Sequence, residues 1–127
     1  MAKTEIRTPN APTPVASFSQ GVRKGNVLQV AGQVAFDPAT GAIVGDTVAE
    51  QARQALRNVA AVLEAGGASM DDVVMMRVYL TDTSQFAEMN EVYNEVVTQR
   101  PFPARTTVYV GLPAGLLVEI DALAVLD

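Results

Sequence analysis

The chain has 127 residues, of which 49 % are apolar, so it has material for a real core and is excluded from the disordered class. Nine Lys and Arg residues stand against 14 Asp and Glu, a net charge of −5, and the basic residues are scattered, which counts against binding of nucleic acid. Cys and His are both absent, which removes disulfides, thiolate nucleophiles, the commonest metal ligand and the usual general base near neutral pH.

Pro9, Pro12 and Pro14 suit an extended N-terminal arm, residues 1–14, at the head of one domain spanning 1–127. Phe18 to Arg23 reads as a short strand, Lys24-Gly25-Asn26 as a tight turn and Val27 to Phe36 as a second strand. Gly32 inside that strand marks a bulge or a close approach. Asp37-Pro38-Ala39-Thr40-Gly41 is a turn.

Thr47, with Glu50 three residues on, opens a helix with a capping box. Val48, Ala52, Ala55, Leu56, Val59, Val62 and Leu63 follow helical spacing, and Gly66-Gly67 ends the run. Gln51, Arg53, Gln54, Arg57 and Asn58 fall mostly on the other face, where solvent is expected. Val73 to Leu80 is a strand, with Val74, Met76, Val78 and Leu80 as its apolar face. Asp82 and Gln85 start a second helix with the stripe Phe86, Met89, Val92, Tyr93, Val96 and Val97. Met75, Met76 and Met89 read as core filling.

Arg105 to Val110 and Leu116 to Val125 complete the strands. The expected class is α+β, a mixed β-sheet backed on one face by two helices. Leu116, Val118, Ile120, Ala122 and Ala124 form the core-facing side of the last strand. Its other side sets Leu117, Leu123 and Val125 around Glu119 and Asp121, apolar surface that another copy of the chain is expected to cover.

The prolines of Pro101-Phe102-Pro103 fix the approach to Arg105, and Gly111-Leu112-Pro113-Ala114-Gly115 is short enough for a hairpin. A hairpin pivoting near Pro113 puts Arg105 opposite Asp121 and diagonal to Glu119, on one sheet face; a one-residue bulge would flip that parity. Taken alone, Arg105 is an exposed strand-end arginine, a structural partner of Asp121, or an anion-binding fork. Glu119 is equally a hydrated acid or a site group, and Asn90 a solvated helix residue. Acids are nowhere concentrated at ligand spacing and the glycine-rich phosphate motifs are missing, so neither a metal nor a cofactor is expected. No apolar run is long enough to cross a bilayer, and Met1 to Arg7 lacks the core of a signal peptide, so an unprocessed cytoplasmic protein is expected.

Pro103-Ala104-Arg105-Thr106 followed by Val118-Glu119-Ile120 resembles the RidA family, the YjgF-type reactive-intermediate deaminases. Gln20-Gly21-Val22, Gly32-Gln33, the helix from Gln51 to Val59 and Asn90 also match, in the same order along the chain. The resemblance implies a chorismate-mutase-like fold and a homotrimer whose sheets pack together, with sites in clefts between subunits. It implies hydrolysis of enamine and imine acids such as 2-aminoacrylate and 2-iminopropanoate to 2-oxo acids and ammonia. By the same resemblance Arg105 grips the substrate carboxylate, Glu119 positions the attacking water, and Gly32 and Asn90 line the site. Three positions depart from the family pattern: Phe18 replaces a usual tyrosine, Ala31 a serine and Thr107 a cysteine. These changes bear on substrate range and rate. Other readings are a non-catalytic protein that binds small 2-oxo acids, and a pathway-specific deaminase of a bulkier enamine. Ribonuclease activity is a further reading, against which the acidic charge and the missing histidine count.

Overall fold

The computed structural model describes residues 2–127. Six strands and two helices follow in the order β1 (Thr4–Ile6), β2 (Gly21–Lys24), β3 (Val27–Gln33), α1 (Val48–Ala65), β4 (Val73–Leu80), α2 (Phe86–Val96), β5 (Ala104–Tyr109) and β6 (Val118–Val125). They make one mixed sheet in the order β1-β2-β3-β6-β4-β5. All neighbours are antiparallel except β4 and β5, whose parallel pairing requires the crossover that α2 provides. Neither helix is long and apolar enough to cross a membrane.

The helices share one face of the sheet, and the core lies between. Leu28, Val30, Met76, Val78, Leu80, Val118, Ile120, Ala122 and Ala124 reach it from the strands; Leu56, Val59, Leu63 and Met89 reach it from the helices. All are fully buried, which makes this layer the main apolar contribution to stability. Thr47 caps α1 with the expected box: its hydroxyl accepts from the Glu50 N–H, and the Glu50 carboxylate accepts from the Thr47 N–H. The β2–β3 hairpin turns through Gly25 at φ +60°, a conformation that costs glycine little.

Several expectations are corrected. β5 and β6 do not form a hairpin, because β4 lies between them. Val74 is exposed while Val73 is buried. A register shift between Val73 and Met75 opposite β6 inserts one residue and reverses the parity of the strand's start. Asp82 caps a single 3-10 turn, Thr83–Gln85, before α2 begins at Phe86. Within the N-terminal arm, Thr4–Ile6 pairs with β2 as an edge strand.

The polar side of α1 is not solvated throughout. Gln51, Gln54 and Asn58 are buried. Gln51 donates to the Gly45 and Gly115 carbonyls at 3.2 and 2.8 Å and accepts from the Leu117 N–H at 2.8 Å. Gln54 donates to Asn58, whose amide donates to the Val34 and Phe36 carbonyls, each at 3.0 Å. Helical periodicity cannot reveal this, because the partners are loop backbone groups left over once the strands have ended. Gln51→Leu is therefore expected to destabilise the fold by about 2–4 kcal/mol, since it strands three backbone groups. Urea unfolding checks this: the midpoint falls at unchanged slope, and an unchanged midpoint contradicts it.

Candidate functional site

The residues singled out from the sequence fall into two groups on opposite faces of the sheet. Arg105 pairs in register with Met76, and Thr107 with Val78, so both lie on the helix side, at the edge beside α2. Arg105 Nη1 donates to Asn90 Oδ1 at 2.7 Å. Its guanidinium carbon stands 4.5 Å from the Tyr93 ring centroid and 5.6 Å from that of Phe86. An aromatic slot and one amide thus fix the plane of the fork and leave its other N–H groups for a ligand. Burial pushes the Tyr93 hydroxyl up, with the Arg105 charge opposing. Phe86 and Tyr93 had the spacing of a core stripe, and nothing in the sequence set them apart as walls around an arginine.

Glu119 and Asp121 lie on the open face with Tyr79 and Arg77, their partners on β4. Asp121 is not the partner of Arg105. It is 7 % exposed, and its carboxylate accepts from Arg77 Nε and from the Tyr79 hydroxyl, both at 2.9 Å. The contact follows from strand order: β4 supplies the cation that the expected hairpin would have drawn from β5. Arg77 and Tyr79 alternate along β4 opposite the two acids, a signal readable only once β4 and β6 are known to be neighbours.

Glu119 rests against the β3 bulge. Ala31 and Gly32 together oppose Asp121 alone, between the Val30–Ala122 and Gln33–Ile120 pairs. A Cβ on Gly32 would stand 2.7 Å from Glu119 Oε2, so any larger residue would displace that carboxylate. Ala31 donates its N–H to the Gln20 carbonyl at 2.9 Å and does not line the cleft that opens here. That cleft, about 280 Å³, is walled by Val15, Phe18, Phe36 and Pro113, with Gly32 and Glu119 at its polar end. Gln20, which the sequence marked only as part of a motif, pins the arm that forms one wall. Its amide accepts from the Thr8 N–H and donates to the Thr8, Ala11 and Pro12 carbonyls. Among the described residues Glu119 is the only ionisable one lining the cleft. Burial pushes its carboxyl above the usual carboxylate range, and the Asp121 charge adds to this.

A fixed guanidinium thus stands on one face of the sheet and a half-buried carboxylate on the other. The family model described as endoribonuclease L-PSP matches residues 8–126, and the chain belongs to this family, the RidA/YjgF family. It is 47 % identical over 123 residues to a RutC family protein of Pyrococcus horikoshii, covering 96 % of this chain and 97 % of that one. It is 42 % identical over 128 residues to the 2-iminobutanoate/2-iminopropanoate deaminase of Salmonella typhimurium, covering 98 % of each. Among solved structures, Escherichia coli TdcF with bound serine superposes with a TM-score of 0.92 at 38 % identity, covering 98 % of this chain and 99 % of that one.

The desolvated Glu119 carboxylate has a consequence for stability. Its folded pKa lies above its unfolded value, so the fold disfavours the charged form. Wild-type stability is thus reduced as pH rises from the unfolded value through the folded one. Glu119→Gln, which carries no charge, should melt with wild type below about pH 4 and above it near pH 8. Paired thermal melts across that range check this, and a Gln variant less stable than wild type at the alkaline end contradicts it.

Proposed function

We propose that the protein hydrolyses imine tautomers of small 2-enamino acids to 2-oxo acids and ammonia, at sites completed between copies in a homotrimer. The observation that carries this reading is the division of the site across the sheet. No single chain can close Arg105 and Glu119 on one small anion, whereas the edge of one subunit laid against the open face of another can. The half-exposed apolar surface of that face, which includes Val27, Val108 and Val125, supports such packing. The relatives named as imine deaminases, and the relative holding serine, support a small carboxylate ligand.

In this reading the Arg105 fork takes the substrate carboxylate with two charge-assisted hydrogen bonds. The electrophilic carbon, one bond from that carboxylate, then faces the neighbouring subunit's Glu119, which orients a water for attack. The resulting carbinolamine loses ammonia and leaves the 2-oxo acid. The uncatalysed reaction already runs in water, so the protein need supply only position and proton transfer. Neither demands His, Cys or a metal.

Phe18 favours a second, narrower reading. Its ring is half exposed in the cleft with Val15 and Phe36, where a bulkier apolar side chain on the substrate would lie. One experiment addresses both readings. Imines of increasing side-chain size are generated by an amino-acid oxidase or dehydratase, and their loss is followed with and without the protein. Acceleration confined to the large members selects the narrower reading, and saturable 2-oxo acid binding without acceleration makes the protein a binder instead. Arg105→Ala and Arg105→Lys should each lose about ten- to a hundredfold in kcat/KM, because neither gives two parallel hydrogen bonds. Unchanged rates would end the proposal.

A further inference from the structure

The Arg77–Asp121–Tyr79 cluster has no part in the reaction as written, yet it lies beside the one acid that does. We infer that Asp121, clamped by Arg77 and Tyr79, is a positioning residue that makes Glu119 the proton carrier of the site. This rests on the reading above and deepens it.

Two carboxylates on one face of β6, two residues apart, are about 7 Å from each other along the strand. At that separation, under partial burial, ionising both is costly. Their surroundings decide which one keeps its charge. Asp121 Oδ1 takes the Arg77 Nε–H and Oδ2 takes the Tyr79 O–H, so each oxygen of its anion has a donor. Glu119 receives no hydrogen bond from the described residues; burial and the neighbouring Asp121 charge are what act on it. Glu119 is thus the acid of the pair whose charged form has no donor and is disfavoured by burial. Two acids held in different environments take different roles.

The groups facing Glu119 can be named element by element. β6 contributes Asp121, and β4 contributes Tyr79 opposite it and Arg77 diagonally. β3 presents the backbone at Gly32, and the arm and the loop around Pro113 present no ionisable group to the cleft. In the assembled site Arg105 of a neighbouring subunit would add a cation. Arg77 lies diagonal to Glu119 with its Nε on the Asp121 carboxylate, so it offsets part of that charge, and what remains at Glu119 is an upward push from burial and from Asp121.

A proton carrier is what imine hydrolysis needs. As the water oxygen bonds to carbon, the C=N π pair moves to nitrogen and a water proton passes to the Glu119 carboxylate. Glu119 then gives that proton to the nitrogen. The hydroxyl proton then passes by way of Glu119 to the same nitrogen, the C–N bond breaks with its electron pair leaving on ammonia, and C=O forms. Glu119 ends as it began. Asp121 touches neither water nor substrate in this scheme. Structural need alone does not explain it, since a buried ion pair is commonly replaceable by apolar residues, and Leu123 and Met75 already share this face.

The test uses the intact protein, with Glu residues labelled at the side-chain carboxyl carbon, and follows the Glu119 titration by NMR alongside the pH profile of kcat/KM for imine loss. Asp121→Asn keeps the shape and removes the charge: its oxygen can still accept from Arg77, and its NH2 can donate to the Tyr79 hydroxyl oxygen in place of the bond that hydroxyl gave. The Glu119 midpoint should fall by about half a unit or more, and the acid limb of kcat/KM should fall with it. Arg77→Gln, whose amide can still donate to Asp121 Oδ1, should move both the other way, with far-UV circular dichroism confirming that the variant is folded. A Glu119 midpoint unmoved in both variants overturns the inference. So does a moved midpoint with an unmoved acid limb, because the proton is then not used. Absence of any turnover by the wild-type protein is a separate outcome that overturns the underlying reading, and the inference with it.

Discussion

β4 runs between β5 and β6, and its two registers tie Arg105 to Met76 on one side and Asp121 to Arg77 on the other. Partners in a ladder share a face, and successive residues alternate. Arg105 is thereby committed to the helix side and both acids to the open side. Within one chain Arg105 and Glu119 therefore face apart, and the open face also carries exposed apolar strand residues.

Each half is preorganised by a different device. The arginine half relies on ring faces and an amide: Tyr93 and Phe86 limit the guanidinium to a plane, and Asn90 takes one of its hydrogens. Long, rotamer-rich side chains lose less entropy on binding when their free state is already narrow. The carboxylate half relies on closeness of backbone. The bulge at Ala31 and Gly32 brings main chain against Glu119, where a side chain would intrude, and the arm pinned by Gln20 walls the cleft. Water is partly excluded there, so the acid holds its proton more tightly than an exposed glutamate would.

The elements were legible where a local rule sufficed. The Thr47–Glu50 box, the apolar stripe of α1 and the even face of β6 lie where capping and periodicity put them. The mixed sheet with two helices on one face follows from the same patterns. Pairing was not legible, because the Gly111–Gly115 loop suits a hairpin as well as it suits a strand leaving for another position. The parallel β4–β5 pair is a long-range choice that the linking segment does not announce. Both bulges, at Val74 and at Gly32, shift parity by one residue without a composition signal beyond the glycine itself. A β5–β6 hairpin gives Asp121 the cation of β5, whereas the strand order gives it that of β4; Gln51, Gln54 and Asn58 are buried by loops, which leave no periodic trace. Arg105, Asn90, Gly32 and Glu119 carry a signal in the sequence; Phe86, Tyr93, Arg77 and Tyr79 carry none, and neither does the fact that Arg105 and Glu119 face apart.

The central claim is that a working site combines Arg105 of one copy with Glu119 of another. Mixing addresses it most directly. Arg105→Ala and Glu119→Gln proteins are unfolded together and refolded, and imine hydrolysis is compared with that of each variant refolded by itself. Sites shared between copies predict recovered activity in the mixture, since some interfaces pair the intact arginine with the intact glutamate. Mixed oligomers that form, as shown by a mass tag on one variant, and yet hydrolyse no faster than either parent would contradict the account.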